Sequence, residues 1–221
     1  MIGKGKSISH GVAALEYDLA KEINGQAVAT EIARHELYGC TGAEMVQEMK
    51  PYHIDFPNVK NNCLRFEVSP SIEESATFTD ADWAELGNDF MQRMGLANHQ
   101  YIIIRHSGTE SKKEQAHLHI LANRVSLSGE LYRDNWIGKK ATEAANAIAK
   151  ERNFVQSQDI GKVNKAEIKE AMDGVLKKMQ GFDFTKFKEE LGKRGFKVRE
   201  ARASTGKLNG YYVIQMRSEE H

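Results

Sequence analysis

The order of elements in this 221-residue chain predicts an α+β fold, a central antiparallel β-sheet flanked by helices in a sandwich. Three observations lead there. Two strand-like runs, "QYIIIRH" and "AHLHILANRV", follow each other across one charged loop, "SGTESKKEQ", as antiparallel neighbours do. Stretches with apolar residues at helical spacing lie before and after that pair. The chain closes on "FKVREARASTGKLNGYYVIQM", two strands around a glycine-containing turn.

Each element has its own warrant. "SHGVAALEYDLAKEI" carries Val12, Leu15, Leu19 and Ile23 close to helical spacing. "TGAEMVQEM" opens on Thr41 with Glu44 three residues on, a capping-box pattern before a short helix. "NCLRFEVSP" alternates Leu64, Phe66 and Val68 with Arg65 and Glu67 and stops at Pro70, as a strand with one polar face does. In "TDADWAELGNDFMQRMG", Thr79 or Asp80 caps a helix with an apolar stripe of Trp83, Leu86, Phe90 and Met94, ended by Gly95. "QYIIIRH" is almost uniformly apolar, which suits a central strand covered on both faces. After a turn at Ser128–Gly129 the pattern is helical over about 137–152, 163–180 and 184–194. The expected order is therefore helix, strand, helix, strand, strand, helices, hairpin. Residues 1–155 are expected to form the core, with 156–221 as a helical segment and hairpin packed on it or extending it.

Composition narrows the function classes. With 40% hydrophobic and 28% charged residues the chain is set to fold, and no apolar run nears the ~20 residues needed to insert in a membrane. The opening "MIGKGKSISH" lacks the apolar core of a secretory signal, so Cys40 and Cys63 are expected reduced in a cytoplasmic protein. Net charge is zero, yet residues 1–100 hold 8 Lys+Arg against 15 Asp+Glu, and residues 101–221 hold 23 against 16. A basic second half suits a polyanion, although solvated helix faces would produce the same count.

The histidines carry the chemistry. Side chains on a strand repeat every two residues, so His117 and His119 share one face while Leu118 and Ile120 take the other. His106, at the end of the neighbouring run, can reach the same place. Three imidazoles on two adjacent strands would leave coordination positions open, as a catalytic metal requires. A polar strand face without metal is the alternative for the His-x-His pair alone.

The segment "QYIIIRHSGTESKKEQAHLHILANRVSLSGE" resembles the MobA-type relaxases, the His-hydrophobe-His endonucleases that nick DNA for transfer of plasmids and mobilizable elements. It has an apolar strand ending in His, a polar loop, His-x-His and then Asn. "GKGKSISHGVAALEYDLAKE" is similar to that family's first motif, "FEVSP" to its second, and "KFKEELGKRGFKVREAR" matches more loosely. The resemblance implies a relaxase-like fold, a bacterial cytoplasmic setting, and a divalent ion (Mg²⁺ or Mn²⁺, with Zn²⁺ or Ni²⁺ also suited) on His106, His117 and His119. It implies Tyr17 as the nucleophile, ahead of Tyr38 and Tyr52, which lack the motif's context. Glu67, on the polar face of its strand, would orient a histidine or accept a proton, with an exposed surface carboxylate as the favoured alternative. From their chemistry, Asn123, Arg65, Arg105, Lys139 and Lys140 are candidates to hold substrate, with a strand-end turn for Asn123 and solvated strand ends for the two arginines as alternatives. Lys162, Lys165, Arg199, Arg202 and Lys207 could follow the DNA backbone, and Tyr132 and Trp136 could stack on bases, core packing being the alternative for both. Partners would be single-stranded DNA at a transfer origin with its adjoining hairpin, accessory mobilization proteins and the coupling protein of a conjugation system. The chain ending at "MRSEEH" is read as an N-terminal relaxase domain cut from a longer protein. One departure stands out: the acidic residue expected soon after the first histidine is delayed to Glu110. Two other readings remain, a metal-dependent hydrolase that uses water, and a non-catalytic DNA-binding module.

Overall fold

A computed structural model of the chain describes residues 1–23, 25–107 and 115–216. Two compact units emerge, Met1–Ser157 and Gln158–His221. The first is built on a five-stranded antiparallel sheet from β1 (Ile2–Ile8), β4 (Ala29–His35), β5 (Cys63–Ser69), β6 (His99–His106) and β7 (His117–Ser126). Their spatial order is β1-β5-β7-β6-β4. A small separate hairpin pairs β2 (Glu22–Ile23) with β3 (Gln26–Ala27). The expected antiparallel pair is β6 and β7, with β5 on the far side of β7.

Two strands of the five-stranded sheet escape the sequence reading, and each for a physical reason. In β1, the positions facing the larger core are Gly3 and Gly5, because helix α5 (Ile137–Glu151) presses against them. A Cβ on Gly3 would meet the Ala145 methyl at 2.6 Å. The strand's core side therefore carries no apolar side chain to announce it. β4 sits at the opposite edge, pairs only with β6, and is broken by a bulge between Glu31 and Ala33.

Side-chain alternation divides the core across the sheet. Leu64, Phe66, Leu118, Ile120 and Ile103 pack with α4 (Asp80–Arg93) and α5 on one face. Ile8, Cys63, Ile102, Ile104 and Leu121 pack with α1 (Gly11–Leu19) and α2 (Gly42–Met49) on the other. β6 is buried on both sides, which is why its sequence runs apolar without alternation. Capping boxes start α2 (Thr41 with Glu44), the one-turn α3 (Ile72–Ser75, Ser71 with Glu74) and α4 (Thr79 with Asp82). A 3₁₀ turn, Lys50–His53, follows α2.

The second unit has its own core. Helices α6 (Ser157–Leu176) and α7 (Phe184–Gly192) pack through Ala171, Val175, Phe187 and Leu191 onto Phe196 of a hairpin of β8 (Phe196–Arg202) and β9 (Leu208–Gln215). α6 begins and ends about six and four residues earlier than the spacing suggested. Lys162, Lys165, Arg199, Arg202 and Lys207 belong to this unit. Among the described residues no helix is long and apolar enough to cross a membrane. Cys40 is exposed and Cys63 buried, and both are free thiols.

Candidate functional site

His106 closes β6 and His117 opens β7, directly opposite each other, while His119 lies across from Ile104. All three point to the α1/α2 side of the sheet, and their ring centroids are 4.3–5.4 Å apart. One ligand nitrogen from each lies within 4.8 Å of the others.

Their hydrogen bonds show which nitrogens are available. His117 Nδ1–H donates to the Gln115 carbonyl at 2.8 Å, so its Nε2 keeps a lone pair. That Nε2 is 3.0 Å from His119 Nε2. Two ring nitrogens this close need either one proton or a cation between them. His106 spends Nε2 on the Asp18 carbonyl at 2.7 Å, and its Nδ1 is buried with no partner among the described residues. Burial drives His106 down to about 4, and burial followed by the neighbouring imidazoles drives His119 further below its usual value. Both are thus neutral at physiological pH, the state that ligates metal.

Behind the rings lies a residue the sequence reading passed over. Asp18 is 1% exposed, and its carboxylate takes hydrogen bonds from Arg65 Nε at 3.1 Å and from the Arg65 terminal nitrogen. Burial raises the Asp18 carboxyl and Arg65 pulls it back down. Arg65 also approaches His119 Nδ1 at 3.3 Å, with Asp18 Oδ1 3.8 Å from the same nitrogen. A single residue therefore binds His106 through its carbonyl and flanks His119 through its carboxylate. On a surface helix an aspartate reads as a solvated charge, so only the packing of α1 against the sheet reveals it. The buried orphan nitrogen, the 3.0 Å contact and the neutral rings backed by a carboxylate suit a divalent ion.

The other expected site residues divide by position. Tyr17 precedes Asp18 on the last turns of α1 and is 62% exposed. Glu67 faces His119 across β5 and β7 and bonds Lys4 Nζ at 2.8 Å. Lys4, Lys6, Arg65, Glu67 and His119 line one open pocket of about 210 Å³. Arg105 turns to the opposite face of the sheet, where it pairs with Asp80. Lys139 and Lys140 ride on α5, also across the sheet from the imidazoles; Lys139 pairs with Glu143 and Lys140 bonds the Arg133 carbonyl. Asn123 shares the histidines' face but is fully buried further along β7. Its Oδ1 accepts from His53 and from the Val125 N–H, and its Nδ2 donates to Gln100 and to the Met49 carbonyl. Glu110 lies outside the described residues.

The sheet gathers three imidazoles, beside a buried carboxylate–guanidinium pair, that could hold a metal ion. The chain belongs to the relaxase family: residues 17–154 match the model of the MobA/VirD2-like nuclease domain. Comparison with curated proteins gives no match. Among solved structures, this chain is similar to the conjugative relaxase TrwC in complex with oriT DNA, a metal-bound structure. The identity is 12% over 93% of this chain and 64% of that one, and the TM-score is 0.26.

Proposed function

We propose that this chain is a DNA relaxase domain that nicks one strand of a transfer origin and keeps the cut end covalently bound. Membership of the relaxase nuclease family supports the reaction class. The carrying observation is the hydrogen bond from His106 to the Asp18 carbonyl, which ties the residue next to Tyr17 to the histidine cluster.

In this reading the Tyr17 Oη attacks phosphorus, a new O–P bond forms, and the bond from phosphorus to the 3′ oxygen breaks. The products are a 5′-phosphotyrosine and a free 3′-hydroxyl, which can later attack the phosphotyrosine and rejoin the strand. A divalent ion, Mg²⁺ or Mn²⁺, held by His106, His117 and His119 would offset negative charge on the phosphate as it becomes five-coordinate. Arg65, fixed by Asp18, adds a guanidinium at the same pocket. Asp18 is buried against Arg65, whereas Glu67, paired with Lys4, lines the open pocket and is the carboxylate that would receive the phenol's proton. Lys4 and Lys6 would meet the flanking phosphates. The substrate is single-stranded at the nick, presented next to the origin's hairpin, with accessory mobilization proteins and a coupling protein acting around it.

The test is a strand-cleavage assay on origin oligonucleotides with Mg²⁺ or Mn²⁺. An SDS-resistant adduct mapping to Tyr17 by mass spectrometry, lost in Tyr17→Phe and in EDTA, is the expected result. Cleavage that survives Tyr17→Phe would instead identify a water-using hydrolase. DNA binding with neither adduct nor cleavage would identify a binding module.

A further inference from the structure

Trp136 is the most exposed of the large apolar side chains among the described residues. It caps α5 with φ 58° and ψ 28°, a left-handed conformation that bulky side chains rarely take. Its side chain is 80% exposed and has no hydrogen bond or ring contact among the described residues. The next residue, Ile137, is anchored in the core. The backbone thus plants an indole in solvent at a fixed place.

Its surroundings are basic. Lys139 and Lys140 line a surface hollow of about 290 Å³ with Trp136 and Glu143. Arg133, exposed three residues earlier, has no ion-pair partner among the described residues. Location matters as much as charge. Gly138 abuts the Gly5 carbonyl of β1, so close that a Cβ there would stand 3.5 Å from its oxygen. β1 is the sheet's edge, and its other face presents Lys4 and Lys6 to the pocket that contains His119. Among the described residues no further strand lies beyond β1 on that side.

We infer that Trp136 is a base-stacking post for single-stranded DNA leaving the histidine pocket over the β1 edge, with Lys4 and Lys6 along the way and Lys139 and Arg133 gripping phosphates beside the stacked base. This deepens the relaxase reading and rests on it for the path of the strand. The chemistry recognised is that of an unpaired base, a planar π-face next to a phosphate. The faces of stacked bases in a duplex are already covered.

The two tryptophans make the test direct, because Trp83 is buried at 2% exposure in the core and Trp136 is not. Full-length Tyr17→Phe protein in EDTA, which removes chemistry, is titrated with a thymidine oligonucleotide of about 20 residues and with a duplex of equal length. Single strands quench the exposed part of the tryptophan emission, and duplex quenches it far less. Trp136→Gly, which suits the left-handed backbone, abolishes the quenching. It also weakens single-strand affinity about 5- to 150-fold, the equivalent of ~1–3 kcal/mol for one stacked base. Trp136→Phe falls between the two. Unshifted Trp83 emission certifies that the variants are folded. Affinity within twofold of the parent in folded Trp136→Gly, or equal quenching by duplex, overturns the inference. Absence of a Tyr17 adduct in the cleavage assay would sink the nicking reading while leaving this quenching intact, so the two failures are distinguishable.

Discussion

Truncating Asp18 to alanine probes the buried pair that backs the histidines. The carboxylate is 1% exposed and receives two hydrogen bonds from Arg65, whose own side chain is 20% exposed. Removing one partner of a buried ion pair costs about 3–5 kcal/mol, because the other charge is left unpaired. Water can reach a fifth of Arg65, which places the expected loss near the lower end, about 3 kcal/mol. The pair itself is worth much less than that. Burial works against the Asp18 charge, so Asp18→Ala with Arg65→Met is expected to recover more than half of the loss. Urea unfolding followed by tryptophan emission is the assay, since Trp83 and Trp136 both lie in Met1–Ser157 and report that unit alone. With a slope of ~1–3 kcal/mol per molar urea, the midpoint of Asp18→Ala should fall by roughly 1–3 M. A loss below about 0.5 kcal/mol, or a double variant as unstable as the two single losses added, would refute the reasoning.

In metal-free protein, His106 titrates near 4 when folded and near ~6.5 when unfolded, so between those values the unfolded chain binds the extra proton. Stability is therefore complete above pH ~6.5 and declines as pH drops towards 4, His106 contributing roughly 2–3 kcal/mol of that; His106→Gln should shrink the decline in a urea-midpoint profile without abolishing it, because His119, lowered further, still contributes. A thiol reagent on native protein should modify Cys40 quickly and spare Cys63, which is buried with its thiol pushed up to about 11, and denaturant should release the second equivalent. Asn123→Ala, which deletes four internal hydrogen bonds, should lower stability by about 2–3 kcal/mol and change single-strand DNA affinity less than twofold; the reverse pattern would return Asn123 to the substrate.

The sheet was readable where burial is lopsided. β5 and β7 alternate because one face meets the α4/α5 core, and β6 runs apolar because both faces are covered. That same alternation sets His117 and His119 on one face, and His106, ending the neighbouring strand, joins them there. β1 stayed hidden because tight packing of α5 demanded glycine where a strand usually shows valine or isoleucine. Asp18 stayed hidden because its meaning is tertiary: its partners Arg65, His106 and His119 lie 47 to 101 positions further along the chain. Charge counting was the bluntest guide. The basic second half includes Arg105, Lys139 and Lys140, which the sheet sets on the face away from the histidines, whereas Lys4, Lys6 and Arg65, from the acidic half, stand at the pocket.

The metal-assisted nicking proposed for this chain depends on its three imidazoles acting as one ligand set for a divalent ion. Electron paramagnetic resonance of Mn²⁺ titrated into EDTA-stripped protein measures that directly. The account predicts one bound ion per chain, abolished by His119→Ala and weakened about 10- to 100-fold by Asp18→Asn through the lost support of the ligating ring. No bound Mn²⁺ in the parent protein, or one ion bound equally well without His119, would contradict it.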